Sequence, residues 1–201
     1  MRVVESFFLS KSRFEGFSDA VLAIAATLLV LGFHLPTSIA TQSEAEQTRA
    51  LIGIWPQYLV YFTSFATIGI MWLNHHAQFR YIQKITYGMA IANLFLLLLI
   101  CFLPFPTEVL ASFGITRPAA VYYGLTLCGI AIGYAVLHIQ LLAAHPHLPQ
   151  KIDPWTFLGA ILYPVSTAIA YFSPIGGIIA YVLIALYYML PQNVARSPLK
   201  P

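Results

Sequence analysis

Charge is what this chain has least of. Only 8% of its 201 residues are Asp, Glu, Lys or Arg, against 59% that are hydrophobic, and the mean hydropathy is +0.78. Soluble domains carry about 25% charged residues, so there is too little charge here to clothe a globular core in water, and a soluble protein is excluded. The net charge of +3 is small and scattered, with no basic run to attract nucleic acid. Cysteine is nearly absent too: Cys101 and Cys128 both lie in apolar stretches, are expected buried and reduced, and form neither a disulfide framework nor a metal knuckle. G-x-S-x-G, H-E-x-x-H and a phosphate-cradling glycine loop are missing, and Glu108 reads as an interfacial residue, so no enzyme is expected. The opening MRVVESFFLSKSR is short in apolar length and is followed by charge, which is not the pattern of a cleaved signal.

What the chain does have is long apolar runs. A helix crosses the hydrocarbon in about 20 residues, and six segments qualify, at approximately 16–35, 53–74, 86–110, 117–142, 155–172 and 175–191. The expected fold is therefore a single all-α membrane domain over 1–201, its partner the lipid bilayer. Pro36, Pro56 and Pro154 stand at span ends, where proline is tolerated. Pro104 and Pro106 should kink or shorten the third span, Pro164 should bend the fifth, and SPIGG at 173–177 makes a tight last hairpin. With six spans both termini share a side. That side holds Arg2, Lys11, Arg13, Arg80, Lys84, Lys151, Arg196 and Lys200; the other holds only Arg49 and Arg117. The positive-inside rule places both termini in the cytoplasm and the polar 36–51 connection outside. Tyr and Phe, 12 and 14 of them, read mostly as interfacial anchors and packing.

The stretch RFEGFSDAVLAIAATLLVL, residues 13–31, gathers Arg13, Glu15, Ser18 and Asp19 at the mouth of a helix that is otherwise apolar. An ionised Asp at mid-span costs about 2.5–3.5 kcal/mol on insertion scales, so such groups keep partners. Ser18 and Asp19 serve either as helix caps or in an interhelical network. Partners are at hand: the second span ends MWLNHH, with Trp72, Asn74, His75 and His76 at the same boundary, and the third span contributes Asn93. Further along the first helix, Ile24, Leu28 and Leu31 fall within about 60° of one another with Thr27 at the stripe's border. Every face there is apolar, so periodicity alone does not tell lipid, neighbouring helix and water apart.

RFEGFSD resembles the RxxxFSD signature of the transmembrane protein 175 family, endolysosomal cation channels with bacterial relatives, in which Arg13, Phe17, Ser18 and Asp19 hold the fixed positions. WLNHH, and Asn93 followed by FLPFPT, are similar to that family as well, and the resemblance runs over essentially the whole chain. The TVGYG filter of ordinary potassium channels is absent. The resemblance implies a potassium-selective channel in the bacterial inner membrane, a homotetramer of six-span subunits with the first helix at the axis. It implies that Ile24, Thr27, Leu28 and Leu31 line the pore, with Ile24 the hydrophobic constriction and potassium passing near these residues. It implies that Arg13, Phe17, Ser18, Asp19, Trp72, Asn74, His75, His76 and Asn93 form a structural network that sets the tilt of the lining helix. No cofactor is implied. No regulatory module is visible, so leak-like conduction is the expectation.

Two other classes have sequence support. A secondary transporter would use broken helices, for which Pro104, Pro106 and Pro164 are candidates, but midplane polar groups for a substrate are scarce. Proton permeation is a variant within the channel class. His75 or His76 with His138 is an imaginable haem pair, and AAHPHLPQ, with His145 and His147, an incomplete zinc site.

Overall fold

Ser10 is extended, and the chain then turns at once into a helix that outlasts its apolar stretch at the front. The structure, a computed structural model, describes residues 10–35, 39, 43–80, 82, 84–145 and 154–189, without the side chains of 154–156. Arg2, Lys151, Arg196, Lys200 and the His147 of the HPH run lie outside these residues.

The first helix, α1, is Lys11–Leu28, and it tightens into a 3-10 turn over Leu29–Gly32. It begins five residues before the expected 16, because Phe14 is buried and draws the polar first turn into helix; hydropathy counting cannot see that. It also leaves α geometry early, so Leu31 belongs to the 3-10 turn. The polar connection, expected outside and as a loop, contains α2, Glu44–Gly53. A capping box explains it: Ser43 receives the Glu46 backbone N–H, while the Ser43 N–H and hydroxyl donate to Glu46 Oε2 at 2.9 and 2.6 Å. Those two bonds hold the Glu46 carboxyl below the usual carboxylate range.

Next comes α3, Trp55–Phe79, which ends five residues beyond the expected second span and has Pro56 in its first turn. The third expected span is two helices, α4 (Tyr87–Phe102) and α5 (Pro104–Phe113), because Pro104 lacks the N–H that would continue the ladder. Then α6 covers Arg117–Ala144, α7 Pro154–Phe172 with Pro164 inside it, and α8 Pro174–Met189. A single residue, Ser173, separates α7 from α8, and a side chain at Gly177 would strike Ala170, so only glycine allows that hairpin to close.

α6 is the spine, packed on α4, α7 and α8, while α1 lies against α3 and α4. Lys11–Gly32, Tyr87–Phe113 and Arg117–Ala144 are long and apolar enough to cross a membrane; Phe157–Phe172 and Pro174–Met189 are shorter apolar helices. α3 matches them in length but spends its inner face on Thr63, Ser64, Thr67, His75 and Gln78, which lowers its hydropathy. Those hydroxyls cost little because they are paired. Thr63 and Thr67 donate to carbonyls one turn back, and Ser64 bonds Thr107 of α5 and Tyr123 of α6, both at 2.9 Å. Deeper in the bundle the Tyr181 hydroxyl of α8 donates to Thr167 of α7 at 3.2 Å. Cys128 is only half buried and Cys101 is exposed, contrary to expectation.

Candidate functional site: the two faces of the first helix

Phe14, Ser18, Leu22, Ala25 and Leu29 recur every three or four residues, and this stripe is the buried face of α1. Ser18 is 0% exposed, two turns inside the helix, so it is no cap. Its hydroxyl donates to the Phe14 carbonyl at 3.0 Å and accepts from Asn93 Nδ2 of α4 at 2.9 Å. Asn93 Oδ1 in turn bonds His75 Nε2 of α3 at 2.9 Å, and since that oxygen can only accept, Nε2 carries the proton. Three helices are thus joined by one directional chain of hydrogen bonds at a place where Asn93 is 1% and His75 3% exposed. Phe14 seals it, stacked on His75 at 6.4 Å between ring centroids and tilted on Phe79 at 5.0 Å. Beside the chain, on the surface, Trp72 Nε1 donates to Asp19 Oδ1 at 2.9 Å.

Of the nine residues expected in this network, Ser18, Asp19, Trp72, His75 and Asn93 come together. Arg13, Asn74 and His76 are exposed and do not join it; His76 only leans its ring toward Trp72, 6.4 Å away. Neighbouring residues on a helix point about 100° apart, so His75 turning inward sends Asn74 and His76 outward. Phe17 is a correction of the same kind. Instead of packing inward with Ser18 it is 53% exposed. Phe14, which the sequence reading passed over, takes the inward place; a signal for it lay in the 14–18–22–25–29 spacing.

A second face of α1 bears Ile24, Leu28 and Leu31, which are 58%, 43% and 71% exposed, with exposed Thr27 at its border. Phe17 precedes Ile24 by seven residues and extends the same stripe. No residue of this stripe is enclosed in the protomer. The Thr27 hydroxyl donates to the Ile24 carbonyl at 2.8 Å, so its proton is committed to the helix and its oxygen faces out as an acceptor.

The outer end of the stripe is held differently. The His34 N–H donates to Gln57 Oε1 at 2.9 Å, and Gln57 Nε2 donates back to the His34 carbonyl at 3.1 Å. His34 Nε2 lies 3.3 Å from Glu108 Oε1 of α5, each side chain about half exposed. Phe33 leans on Tyr58 and Tyr61 at 5.3 Å, and a β-carbon added at Gly32 would stand 3.5 Å from the Glu108 Cα.

The imagined haem pair does not assemble, for His75 is spent on Asn93, and His138 Nδ1 accepts from Gln78 Nε2 at 2.9 Å. Among the described residues no three His, Cys, Asp or Glu side chains converge on a metal position.

A family model described as endosomal/lysosomal potassium channel TMEM175 matches residues 13–104, the part that contains both faces of α1 and the hydrogen-bonded residues Ser18, Asp19, Trp72, His75 and Asn93. A Streptomyces collinus protein named a potassium channel is 32% identical over 203 residues, 92% of this chain and 97% of its own length. The crystal structure of a lysosomal potassium-selective channel TMEM175 homolog from Chamaesiphon minutus agrees with this fold at a TM-score of 0.80 and 34% identity, over 91% of this chain and 98% of that one. The mouse protein named endosomal/lysosomal proton channel TMEM175 is 37% identical over 111 residues, 53% of this chain and 22% of the mouse chain.

Proposed function

The chain belongs to the TMEM175 potassium channel family, and from that premise we propose that it is a potassium channel of the bacterial inner membrane built from four copies around α1. Each subunit is one domain of six spans, α1, α3, α4 with α5, α6, α7 and α8, with both termini in the cytoplasm. The observation that carries this reading is the two-sidedness of α1. One face is locked by hydrogen bonds into the protomer, and the other leaves a continuous apolar stripe uncovered.

Facing a four-fold axis, four Ile24 side chains form a ring that closes by dewetting, because a cation entering it sheds water and finds no oxygen in return. Leu28 and Leu31 continue the hydrophobic wall outward, and Phe17 extends it toward the cytoplasm. Thr27 is the polar exception. Its oxygen, with the proton turned into the helix, offers four acceptors near the constriction to a partly hydrated cation. Potassium sheds water at a lower cost than sodium, so a site that demands partial dehydration favours it. The network of Ser18, Asp19, Trp72, His75 and Asn93 sets the rotation of α1 and so decides which residues meet the ion.

The test is the reversal potential of purified protein in lipid bilayers under opposed potassium and sodium gradients. Values following the potassium gradient, with unitary current steps, support the proposal; carrier-like flux without steps removes it. Ile24→Ala should widen the ring and raise unitary conductance, and Ile24→Asn should hydrate it and erode selectivity. Wild-type currents in both would remove Ile24 from the constriction. Proton permeation is the second reading, favoured by the name of the mouse relative. Collapse of a pH gradient without any potassium flux would replace the first reading with it.

A further inference from the structure

Thr107 and Glu108 are neighbours on α5 and serve different sides of it. Thr107 is buried and bonds Ser64 of α3, whereas Glu108 is half exposed and meets His34 beyond the C-terminal end of α1. A β-carbon at Gly32 would stand 3.5 Å from both the Cα and the Cβ of Glu108, so α5 backs the 3-10 turn over Leu29–Gly32. That turn carries Leu31, the last residue of the exposed stripe.

The hydroxyl protons behind Thr107 have one arrangement. Thr107 donates its single proton to the Leu103 carbonyl at 2.8 Å, so toward Ser64, 2.9 Å away, it can only accept. The Ser64 proton is spent there, and Ser64 therefore accepts from the Tyr123 hydroxyl, also at 2.9 Å. One line of donation thus runs from α6 through α3 into α5. It ends on Leu103, the residue between α4 and α5. Ser64, Thr107 and Tyr123 are all buried, so water cannot replace a lost partner. The line fastens α5 one residue away from the backbone that backs the 3-10 turn.

We propose, on the reading that α1 lines the pore, that Thr107 is a positioning residue for conduction, with Ser64 and Tyr123 behind it. It sets where α5 stands, and α5 sets how far Leu31 reaches toward the axis. Ser18, Asn93 and His75 fix the rotation of α1 near its N-terminal end; the Tyr123–Ser64–Thr107 line fixes the stop against which its C-terminal turn yields.

Cysteine accessibility in the full-length channel in liposomes tests it. Leu31→Cys or Phe17→Cys is carried in a Cys101→Ser, Cys128→Ser chain, and labelling by a cationic methanethiosulfonate is followed by intact mass. Thr107→Val should raise the rate at Leu31→Cys several-fold and leave the rate at Phe17→Cys as it was. Thr107→Ser, which keeps the hydroxyl, should restore the original rate. Tyr123→Phe cuts only the head of the line and should give a smaller rise, which decides the matter if Thr107→Val does not assemble. Unchanged Leu31→Cys rates in Thr107→Val and Tyr123→Phe overturn the proposal and leave Leu31 in the pore wall. Equal rises at Leu31→Cys and Phe17→Cys overturn it too, because the bundle would then have loosened as a whole. A Leu31→Cys side chain that never reacts, even with Thr107 and Tyr123 intact, removes Leu31 from the wall and the proposal with it.

Discussion

The two ends of the first helix are fastened by different physics. At the N-terminal end, Ser18, Asn93 and His75 bond in sequence inside the bundle, and an aromatic ring covers them. At the C-terminal end, the outer end of the stripe, His34 and Glu108 meet half in solvent, and the firm contacts there are those between Gln57 and the backbone of residue 34. Buried pairs cannot trade their partner for water, whereas exposed pairs can, so the inner fastening resists rotation and the outer one yields. The 3-10 turn at Leu29–Gly32 falls at the yielding end, in a geometry with weaker hydrogen bonds than the α-helix. Adjustment of the apolar stripe is therefore expected at Leu31 rather than at Phe17.

Asn93→Leu should do most to erase this contrast. It strands the His75 N–H and removes the donor to Ser18, for a loss of about 2 kcal/mol and a fall in Tm of about 4–8 °C in detergent. An unchanged Tm would mean that the inner chain of bonds anchors nothing. Trp72→Phe ranks next. It cuts only the surface bond to Asp19, a loss of about 1 kcal/mol or less, read in the same melting experiment. Glu108→Gln is expected to cost no more than about 0.5 kcal/mol globally, as exposed pairs do. Amide exchange at residues 30–35 should nevertheless quicken while exchange at residues 14–22 stays as it was. Equal quickening at both ends would break the comparison outright.

The smallest effect is set by pH at α2. Glu46 titrates below the usual 4.5 because its ionised form accepts from Ser43. The capping box is therefore intact above that value and is lost as the pH falls through the lowered pKa. Amide exchange at residues 46–48, corrected for intrinsic rates, should rise in that acid window in the wild type. Glu46→Gln should show no acid step.

Membrane class and the apolar segments were legible because they depend on composition over long windows, and so was the break at Pro104, which depends on one missing N–H. The pairing of Ser18 with Asn93 was legible as a likelihood of types: polar groups from three helices at one depth have few other partners. Hydropathy did not separate Phe14 from Phe17, two phenylalanines three residues apart; only the 14–18–22–25–29 spacing carried the difference. The α2 helix was in reach, through the Ser43 to Glu46 spacing, and was hidden by the polarity of its surroundings.

By itself, then, the sequence determined that this chain lives in lipid, where its apolar segments lie and which polar residues need one another. Those follow from the cost of unpaired polar groups in hydrocarbon, which is a property of each segment. Only the tertiary structure decided that Phe14 turns in and Phe17 out, that Leu31 ends in a 3-10 turn, and that His34 reaches Glu108 across 74 positions of chain. Those depend on which neighbour fills each side of a helix, and no single segment carries that information.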